Sequence, residues 1–303
     1  MSQDTKGGVL YVSPHLDDVA LSCPGFVWRD VQRGERVIVA TVMSRGSRAA
    51  YAGRRREDRR ALCRLGAQAL HLGRIDAPFR QAFYDSFTSI VLQRHPLDDE
   101  EAAGVASALA ELCRQHQPAL LVLPLAAGTH IDHRLVHAAW RRLQRYVDEV
   151  CFYEDRPYAF VAHQVWQRLH AIGAKIRDPT PPDLESMRPA ARRRALLADL
   201  RRVGYVRTYL PPGRERCRAA RQLAQRLGVK RAEGPELWPE TLTDRELGRG
   251  AFDLVTEVVG AYTSQIPELF GDLEGFQREA RDYSRRIAPG SAYAERLWHL
   301  GRV

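Results

Sequence analysis

Strand-like and helix-like segments alternate through the first half of the chain, and this alternation limits the possible folds most strongly. The run Arg36–Met43 is almost continuously apolar and β-branched, which is typical of a strand covered on both faces. Further segments with strand character are Val9–Ser13, Ala69–Leu72, Ala119–Pro124 and Val150–Tyr153. Helices are predicted between them over Asp18–Gly34, Arg54–Gly66, Glu100–His116 and Arg134–Val147. This order predicts a parallel, Rossmann-like sheet with right-handed crossover connections.

The pattern changes in the second half of the chain. Strand signals fade there, and amphipathic helical segments such as Gly250–Gln265 and Leu269–Ile287 dominate. The predicted fold class is therefore α/β, with a Rossmann-like, mostly parallel sheet flanked by helices and a helical C-terminal half. We expect a core over residues 1–158 and a mainly helical extension over 159–303. The extension is expected to complete the substrate cleft within one integrated domain.

Two clusters of histidine and aspartate follow predicted strands. The segment His15–Asp18 carries one imidazole and two carboxylates directly after the first strand, and His130–His133 follows the strand Ala119–Pro124. Open α/β folds place their ligands at the carboxyl ends of the strands. Either cluster alone is compatible with a helix N-cap or a surface loop. Because both follow strands predicted to be parallel, together they indicate a hydrolase that uses a divalent metal.

The ligand chemistry of zinc selects three of these side chains. Zinc binds histidine nitrogen and carboxylate oxygen, and a catalytic zinc site uses three protein ligands with one open position. His15 and Asp18 lie three residues apart at the start of a helix, and His133 directly precedes the predicted helix Arg134–Val147. These three residues form the predicted metal site. Fe²⁺, Co²⁺ or Ni²⁺ can also occupy such a site, because the ligand type does not fix the metal.

The remaining residues of the two clusters are candidates for the catalytic steps. Asp17 lies between two predicted ligands, and a carboxylate beside a metal-activated water is suited to general-base catalysis. His130 is placed to hydrogen-bond or protonate the oxyanion that forms when water attacks an amide. Asp132 joins the catalytic set as the group expected to orient either His130 or His133 through a hydrogen bond.

At this point the chain resembles a known family, the PIG-L/LmbE-like N-acetylglucosaminyl deacetylases. Those proteins carry Pro/Ala-His-Pro-Asp-Asp after the first strand and His-Pro-Asp-His after a later one, and segments 14–18 and 130–133 match these motifs. Leu16 and Ile131 stand where the family usually has proline. The likeness continues through an Arg-x-x-Glu helix that begins at Arg54, the turn Asp76–Arg80 and the stretch Tyr153–Tyr158. It therefore covers about the first half of the chain.

The resemblance implies an activity and a set of roles. It implies zinc held by His15, Asp18 and His133, with Asp17 as the base and His130 assisting the tetrahedral intermediate. The implied reaction removes the N-acetyl group of an aminosugar or aminosugar conjugate and releases acetate and a free amine. A small-molecule N-acetylated aminosugar is thus the expected substrate. Two alternatives stay open: another metal-dependent amide or acyl hydrolase on the same scaffold, or a non-enzymatic basic binding protein.

Three further residues are candidates for substrate binding. Arg54 and Arg80 are able to contact sugar hydroxyls or an anionic substituent, although a solvated role is equally compatible with such an arginine-rich chain. Tyr158 is a candidate to close over the sugar, and a packed tyrosine is the alternative.

Charge and motif content exclude several other classes. The formal net charge is +9, yet the arginines alternate with acidic residues along predicted helices, as in Arg54–Arg60, which is typical of a solvated helix face. A nucleic-acid partner is therefore not expected. The glycine-rich fingerprint of dinucleotide-binding folds is missing from the first turn, so no nucleotide cofactor is expected.

The distribution of cysteines and apolar residues indicates the cellular compartment in which the protein works. Five widely spaced cysteines without a Cys-x-x-Cys pair argue against a disulfide framework and a thiolate zinc site, so free thiols are predicted. No stretch approaches the ~20 apolar residues of a membrane span. The N-terminal residues lack the apolar core of a secretory signal, and a cytoplasmic location is the expectation.

Overall fold

A computed structural model of the chain shows an eight-stranded sheet covered by helices. It describes residues 7–92, 95–161, 164–177, 203–210, 213–225, 234–248 and 250–301, with scattered positions between 190 and 201. The strands are β1 (Val9–Ser13), β2 (Val37–Arg45), β3 (Gln68–Ile75), β4 (Leu120–Pro124), β5 (Glu149–Tyr153), β6 (Lys175–Ile176), β7 (Glu236–Thr243) and β8 (Ala294–Leu300). Their order across the sheet is β3-β2-β1-β4-β5-β8-β7-β6.

The first five strands form a parallel unit, and later strands extend it in a mixed arrangement. β1 pairs in parallel with both β2 and β4, and β4 pairs in parallel with β5. β8 runs antiparallel to its neighbours β5 and β7. Every residue of β1 is buried, and successive side chains of a strand point to opposite faces, so both faces of the sheet are covered. The predicted fold class, a mostly parallel sheet flanked by helices, is confirmed.

Helices occupy most of the connections between the strands. In the described part of the chain they are Asp18–Ser22, Pro24–Gln32, Arg48–Arg64, Ala77–Arg80, Asp99–His116, Ile131–Ala138, Trp140–Leu143, Gln164–Ala171, Gly204–Tyr209, Arg214–Gln225, Asp244–Leu247, Ala251–Gly260, Ile266–Phe270 and Leu273–Ile287. Single turns of other helix types are Thr88–Leu92, Gln144–Tyr146 and Tyr158–Phe160. No described helix is long and apolar enough to cross a membrane.

Two predicted helices differ from the observed ones in ways that affect the site. The segment Asp18–Gly34 forms two helices, because Pro24 lacks a backbone N–H and starts a new helix instead of continuing the first. The predicted helix Arg134–Val147 begins earlier, at Ile131, and is divided after Ala138. His130 caps this helix: its side chain accepts a hydrogen bond from the backbone N–H of Asp132. His133 therefore lies in the first helical turn and not in the loop before it.

The second half of the chain contributes strands that the sequence pattern does not reveal. β7 pairs with β8 from Leu237 to Thr243, and β8 joins the pair to the sheet through β5. Pro239 lies inside β7, but β6 pairs only with Glu236 and Leu237 of that strand. At Pro239 one side of β7 is therefore an unpaired edge, where a missing backbone N–H breaks no hydrogen bond of the sheet. The division into a core over 1–158 and an extension over 159–303 stays a prediction, although the sheet itself runs across it.

A buried polar network joins β8 to the first half of the chain. The carboxylate of Glu295 accepts hydrogen bonds from the backbone N–H groups of Gly25 and Phe26 and from the Tyr293 hydroxyl. Tyr293 in turn accepts a hydrogen bond of 2.7 Å from the buried guanidinium of Arg156. Burial raises the pKa of Glu295, and Arg156 opposes that rise. The Tyr293 hydroxyl thus connects the buried Glu295 carboxylate to the buried Arg156 guanidinium.

Replacing Glu295 by glutamine should destabilise the fold by about 3 kcal/mol, because it leaves the Arg156 charge buried without its counter-charge. Urea unfolding followed by circular dichroism measures the change. Glu257→Gln is the matched control, since Glu257 pairs with Arg64 at 2.8 Å on the surface. That substitution should cost less than about 1 kcal/mol. Equal losses in the two variants would contradict the structural role given to Glu295.

All five cysteines are free thiols in the structure, as predicted. Cys23, Cys113 and Cys151 are buried, and Cys63 and Cys217 are exposed. Burial raises the pKa of the Cys151 thiol, which therefore stays protonated at neutral pH.

Candidate metal centre

The two histidine–aspartate clusters meet at one edge of the sheet. β1 and β4 are adjacent and parallel, so the loops that leave their carboxyl ends lie side by side. The strand order also reverses direction between these strands, because β2 and β3 lie on one side and β5 on the other. Such a switch point leaves a crevice in open α/β sheets. From the two clusters, the residues that line this crevice are His15, Asp17, Asp18, His130 and His133.

The three predicted metal ligands converge in this crevice. Asp18 links the two histidines: one carboxylate oxygen lies 3.3 Å from His15 Nδ1 and the other 3.4 Å from His133 Nε2. Ligand atoms of the three residues all lie within 4.8 Å of one another, and all three side chains are buried. The backbone N–H of His15 also donates to Asp18 at 2.7 Å, which fixes the carboxylate. Two imidazoles and one carboxylate fit the donor set of a catalytic divalent metal.

A second carboxylate holds each histidine through its other ring nitrogen. His15 Nε2 lies 3.2 Å from Asp132 Oδ2, and His133 Nδ1 lies 2.6 Å from Asp155 Oδ1. Asp155 also accepts a hydrogen bond from the backbone N–H of Ala127 at 2.9 Å. This pattern leaves His15 Nδ1 and His133 Nε2 directed at Asp18, as in the carboxylate–histidine pairs of metal sites.

The contacts of Asp132 differ from the expectation. Its carboxylate hydrogen-bonds His15, the backbone N–H of Ala77 and Arg80, whereas only its backbone N–H reaches His130. The carboxylate that orients His133 is Asp155, which the sequence analysis did not assign. Asp132 is thus placed to position a ligand.

The surplus of buried acids favours a bound cation. Five buried carboxylates surround the crevice: Asp17, Asp18, Asp76, Asp132 and Asp155. Burial acts to raise the pKa of Asp18, but the positive charges of His133 and His15 outweigh it and hold that pKa well below its ordinary value. Burial likewise opposes protonation of His133, yet Asp18 and Asp155 raise its pKa to about 9. The site therefore stabilises positive charge at the point where the ligands meet, as a metal site must.

Asp17 lies beside the ligands but has a different partner. Its carboxylate is 3.6 Å from the Arg54 guanidinium, which is stacked on the Tyr51 ring at 5.1 Å. Burial raises the pKa of Asp17 to about 6, and Arg54 opposes the rise. The group is therefore ionised at neutral pH and able to accept a proton.

His130 lies across the crevice as a neutral imidazole. Burial and the nearby charge of His15 lower its pKa to about 3. Its Nδ1 accepts the backbone N–H of Asp132 at 3.1 Å, so in the neutral ring Nε2 carries the proton. His130 also forms a second possible metal group with His15 and Asp132, which shares one ligand with the first.

Asp76 is a further carboxylate that the sequence analysis did not assign to the site. Its Oδ1 lies 3.5 Å from His15 Nε2, and its other oxygen accepts a hydrogen bond from Tyr51. The position directly follows β3, so the signal that identified the other clusters, a polar residue at a strand end, also applies to it.

A cavity of about 500 Å³ opens from these residues. His15, Asp17, Asp18, His130 and His133 line it together with Arg54 and Tyr158. The ring of Tyr158 is perpendicular to that of His133, with centroids 5.4 Å apart. The backbone at Gly128 approaches this ring so closely that a Cβ atom there would lie 2.1 Å from it.

Of the three residues predicted to bind substrate, two line this cavity and one does not. Arg54 and Tyr158 face it, whereas Arg80 lies behind Asp132 with its guanidinium 2.6 Å from that carboxylate. The Arg80 guanidinium also donates to the backbone carbonyl of Ile75 at 2.9 Å. Arg80 lines a separate cavity instead, so its contacts favour support of Asp132 over contact with a sugar.

Comparison with known proteins finds one matching protein family and one related enzyme. Residues 10–143 match the PIG-L family, described as GlcNAc-PI de-N-acetylase. The 2'-N-acetylparomamine deacetylase of Streptomyces fradiae is 37% identical over 169 residues, which cover 51% of this chain and 58% of that protein. The chain thus aligns with little more than half the length of that relative.

Solved structures resemble the fold along nearly the whole chain. The deacetylase of the A40926 pseudoaglycone has a TM-score of 0.62 at 20% identity, covering 98% of each chain. Teicoplanin deacetylase in complex with teicoplanin has a TM-score of 0.64 at 20% identity, covering 97% of this chain and 98% of that one. Identity at this level supports a shared fold. The matched segment 10–143 contains both clusters and all three metal-ligand candidates, so the candidate metal centre lies in the part of the chain that resembles the PIG-L family.

Proposed function

We propose that this protein is a metal-dependent deacetylase that hydrolyses the N-acetyl group of an aminosugar or aminosugar conjugate. The products are acetate and a free amine. One observation carries the proposal: His15, Asp18 and His133 converge in a cavity where Asp17 and His130 flank them. The match of residues 10–143 to the PIG-L family, described as GlcNAc-PI de-N-acetylase, supports it, as does the similarity to a 2'-N-acetylparomamine deacetylase.

The metal would be held by His15 Nδ1, the Asp18 carboxylate and His133 Nε2. Zn²⁺ fits these ligands, and Fe²⁺, Co²⁺ or Ni²⁺ also accept imidazole and carboxylate. When bound, such a metal supplies a Lewis acid that polarises the amide carbonyl and acidifies a water molecule. Asp132 and Asp155 keep the two imidazoles in the ligating orientation through their second nitrogens.

The chain's own residues then move the protons. Asp17 accepts a proton from the attacking water while the oxygen of that water bonds to the amide carbon. His130 donates its Nε2 proton in a hydrogen bond to the oxygen that becomes negative. Asp17 returns the proton to the nitrogen as the carbon–nitrogen bond breaks, and acetate and the amine leave. Arg54 keeps Asp17 ionised between turnovers, since its guanidinium opposes the rise in pKa that burial causes.

Metal removal and product analysis test the proposal. Purified protein is assayed for acetate and for free amine on a panel of N-acetylglucosamine conjugates, before chelation, after chelation and after each divalent metal is restored. We expect equal amounts of the two products, loss of both on chelation, and recovery with at least one metal. Release of a different acyl acid from other amides would favour another hydrolase on this scaffold. Protein that binds no metal and releases nothing would support the non-enzymatic alternative.

A further inference from the structure

The cavity beyond the metal centre has two distinct ends. Residues at the inner end are buried, among them Leu21, Arg156 and Pro157. At the mouth the lining residues are exposed: Phe79, Asp85, Tyr209 and Glu268. A substrate with its acetyl group at the inner end therefore extends its remaining part toward the mouth.

An unbroken series of ring contacts leads from the metal centre to one side of the mouth. The Tyr158 ring, which contacts His133, lies 5.3 Å from Tyr205 between centroids. Tyr205 contacts Phe87 at 5.9 Å, and Phe87 is stacked on Tyr209 at 5.4 Å with their planes 10° apart. This row ends in a ring that is 37% exposed.

A second exposed aromatic ring, that of Phe79, also lines the cavity. Phe79 is the most exposed large apolar side chain described in the structure, at 53%. Its ring packs edge-on against Tyr51 at 5.8 Å, and Tyr51 is hydrogen-bonded to Asp76 beside His15. Exposure of large apolar side chains in a ligand cavity has a cost in water, which a bound apolar group removes.

We propose that Phe79 and Tyr209 form a binding site for the aglycone of the substrate, and that this aglycone presents a flat apolar or aromatic face. The inference rests on the proposed deacetylase function and names its substrate class. Aromatic rings favour flat partners at ring-stacking distance. Asp85 and Glu268 beside them disfavour an anionic group, so the aglycone is neutral or cationic. A cavity of about 500 Å³ has the size of sites that enclose such conjugates.

Equilibrium binding tests this proposal without turnover. The probes are the 4-nitrophenyl and methyl glycosides of glucosamine, the products that deacetylation would leave, and titration calorimetry gives Kd for each. We expect the aryl glycoside to bind about tenfold more tightly than the methyl glycoside. Phe79→Ala and Tyr209→Ala should each reduce that ratio about threefold and together bring it close to one. Both side chains are exposed, so neither substitution threatens the fold.

Phe83→Ala is the matched control. Phe83 is 48% exposed and close in sequence to Phe79, but it does not line this cavity, so the ratio should stay unchanged in that variant. A ratio near one in the unaltered protein would overturn the proposal. Equal weakening of both glycosides in the Phe79 and Tyr209 variants would also overturn it, because the rings would then hold the sugar. Deacetylation without aryl preference rejects only the aglycone site, whereas aryl preference without deacetylation rejects only the proposed function.

Discussion

Replacing Asp17 by asparagine should lower kcat by about 10²- to 10⁴-fold, the usual contribution of a positioned general base. Asparagine has the same shape but cannot take a proton from water. The asparagine amide should occupy the same position beside the Arg54 guanidinium, so the fold and the metal centre should persist. The measurement is acetate release at saturating substrate, together with metal content by mass spectrometry.

The neighbouring aspartate provides the matched control for this prediction. Asp18 bridges the two histidines at 3.3 and 3.4 Å, so Asp18→Asn should lose metal as well as activity. Asp17→Asn should lose activity and keep metal. If Asp17→Asn also lost its metal, Asp17 would be a ligand. If its kcat fell less than about tenfold, another group would have to take the proton.

The first-half strands and the metal ligands could be predicted because local signals determine them. β1, β2, β4 and β5 are short apolar runs, and each is observed within two residues of its predicted limits. His15, Asp18 and His133 are polar residues directly after such runs or in the helix that follows. Because adjacent parallel strands deliver their carboxyl ends to one edge, sequence position was enough to bring these side chains together.

The groups that orient the ligands could not be assigned with the same ease. Asp155 follows β5, but its pairing with His133 depends on β5 lying next to β4 and on the rotation of the helix Ile131–Ala138. Asp132 lies in the motif, yet the first turn of that helix directs its side chain to His15. Both assignments require side-chain direction, which sequence spacing alone does not give.

The strands of the second half were missed for a different reason. β7 contains Pro239 and a polar segment, and its burial does not alternate strictly. β8 contains Glu295, Arg296 and His299, charged or titratable residues that pair with partners far away in the sequence. Such strands are stabilised by their neighbours more than by their own composition, and local propensity is a weak guide to them.

Replacing His133 by alanine should remove the bound metal and reduce activity to that of the chelated protein. The loss follows from the geometry, since two ligands remain where a catalytic site of this kind uses three. Asp155→Asn should have a graded effect: metal affinity should fall about 10- to 100-fold, and excess metal should restore much of the activity. Asparagine preserves the size of the side chain but provides one acceptor oxygen for two donors, His133 Nδ1 and the Ala127 N–H.

The two variants together distinguish a ligand from a positioning residue. Metal titration followed by the visible spectrum of bound Co²⁺ reports affinity and ligand geometry independently of turnover. A His133→Ala protein that bound one Co²⁺ with unchanged affinity would remove His133 from the metal site. An Asp155→Asn protein with unaltered Co²⁺ affinity would show that the 2.6 Å contact between Asp155 and His133 does not strengthen metal binding. Because Asp155 is connected to the metal only through His133, the double variant should bind metal no more weakly than His133→Ala alone.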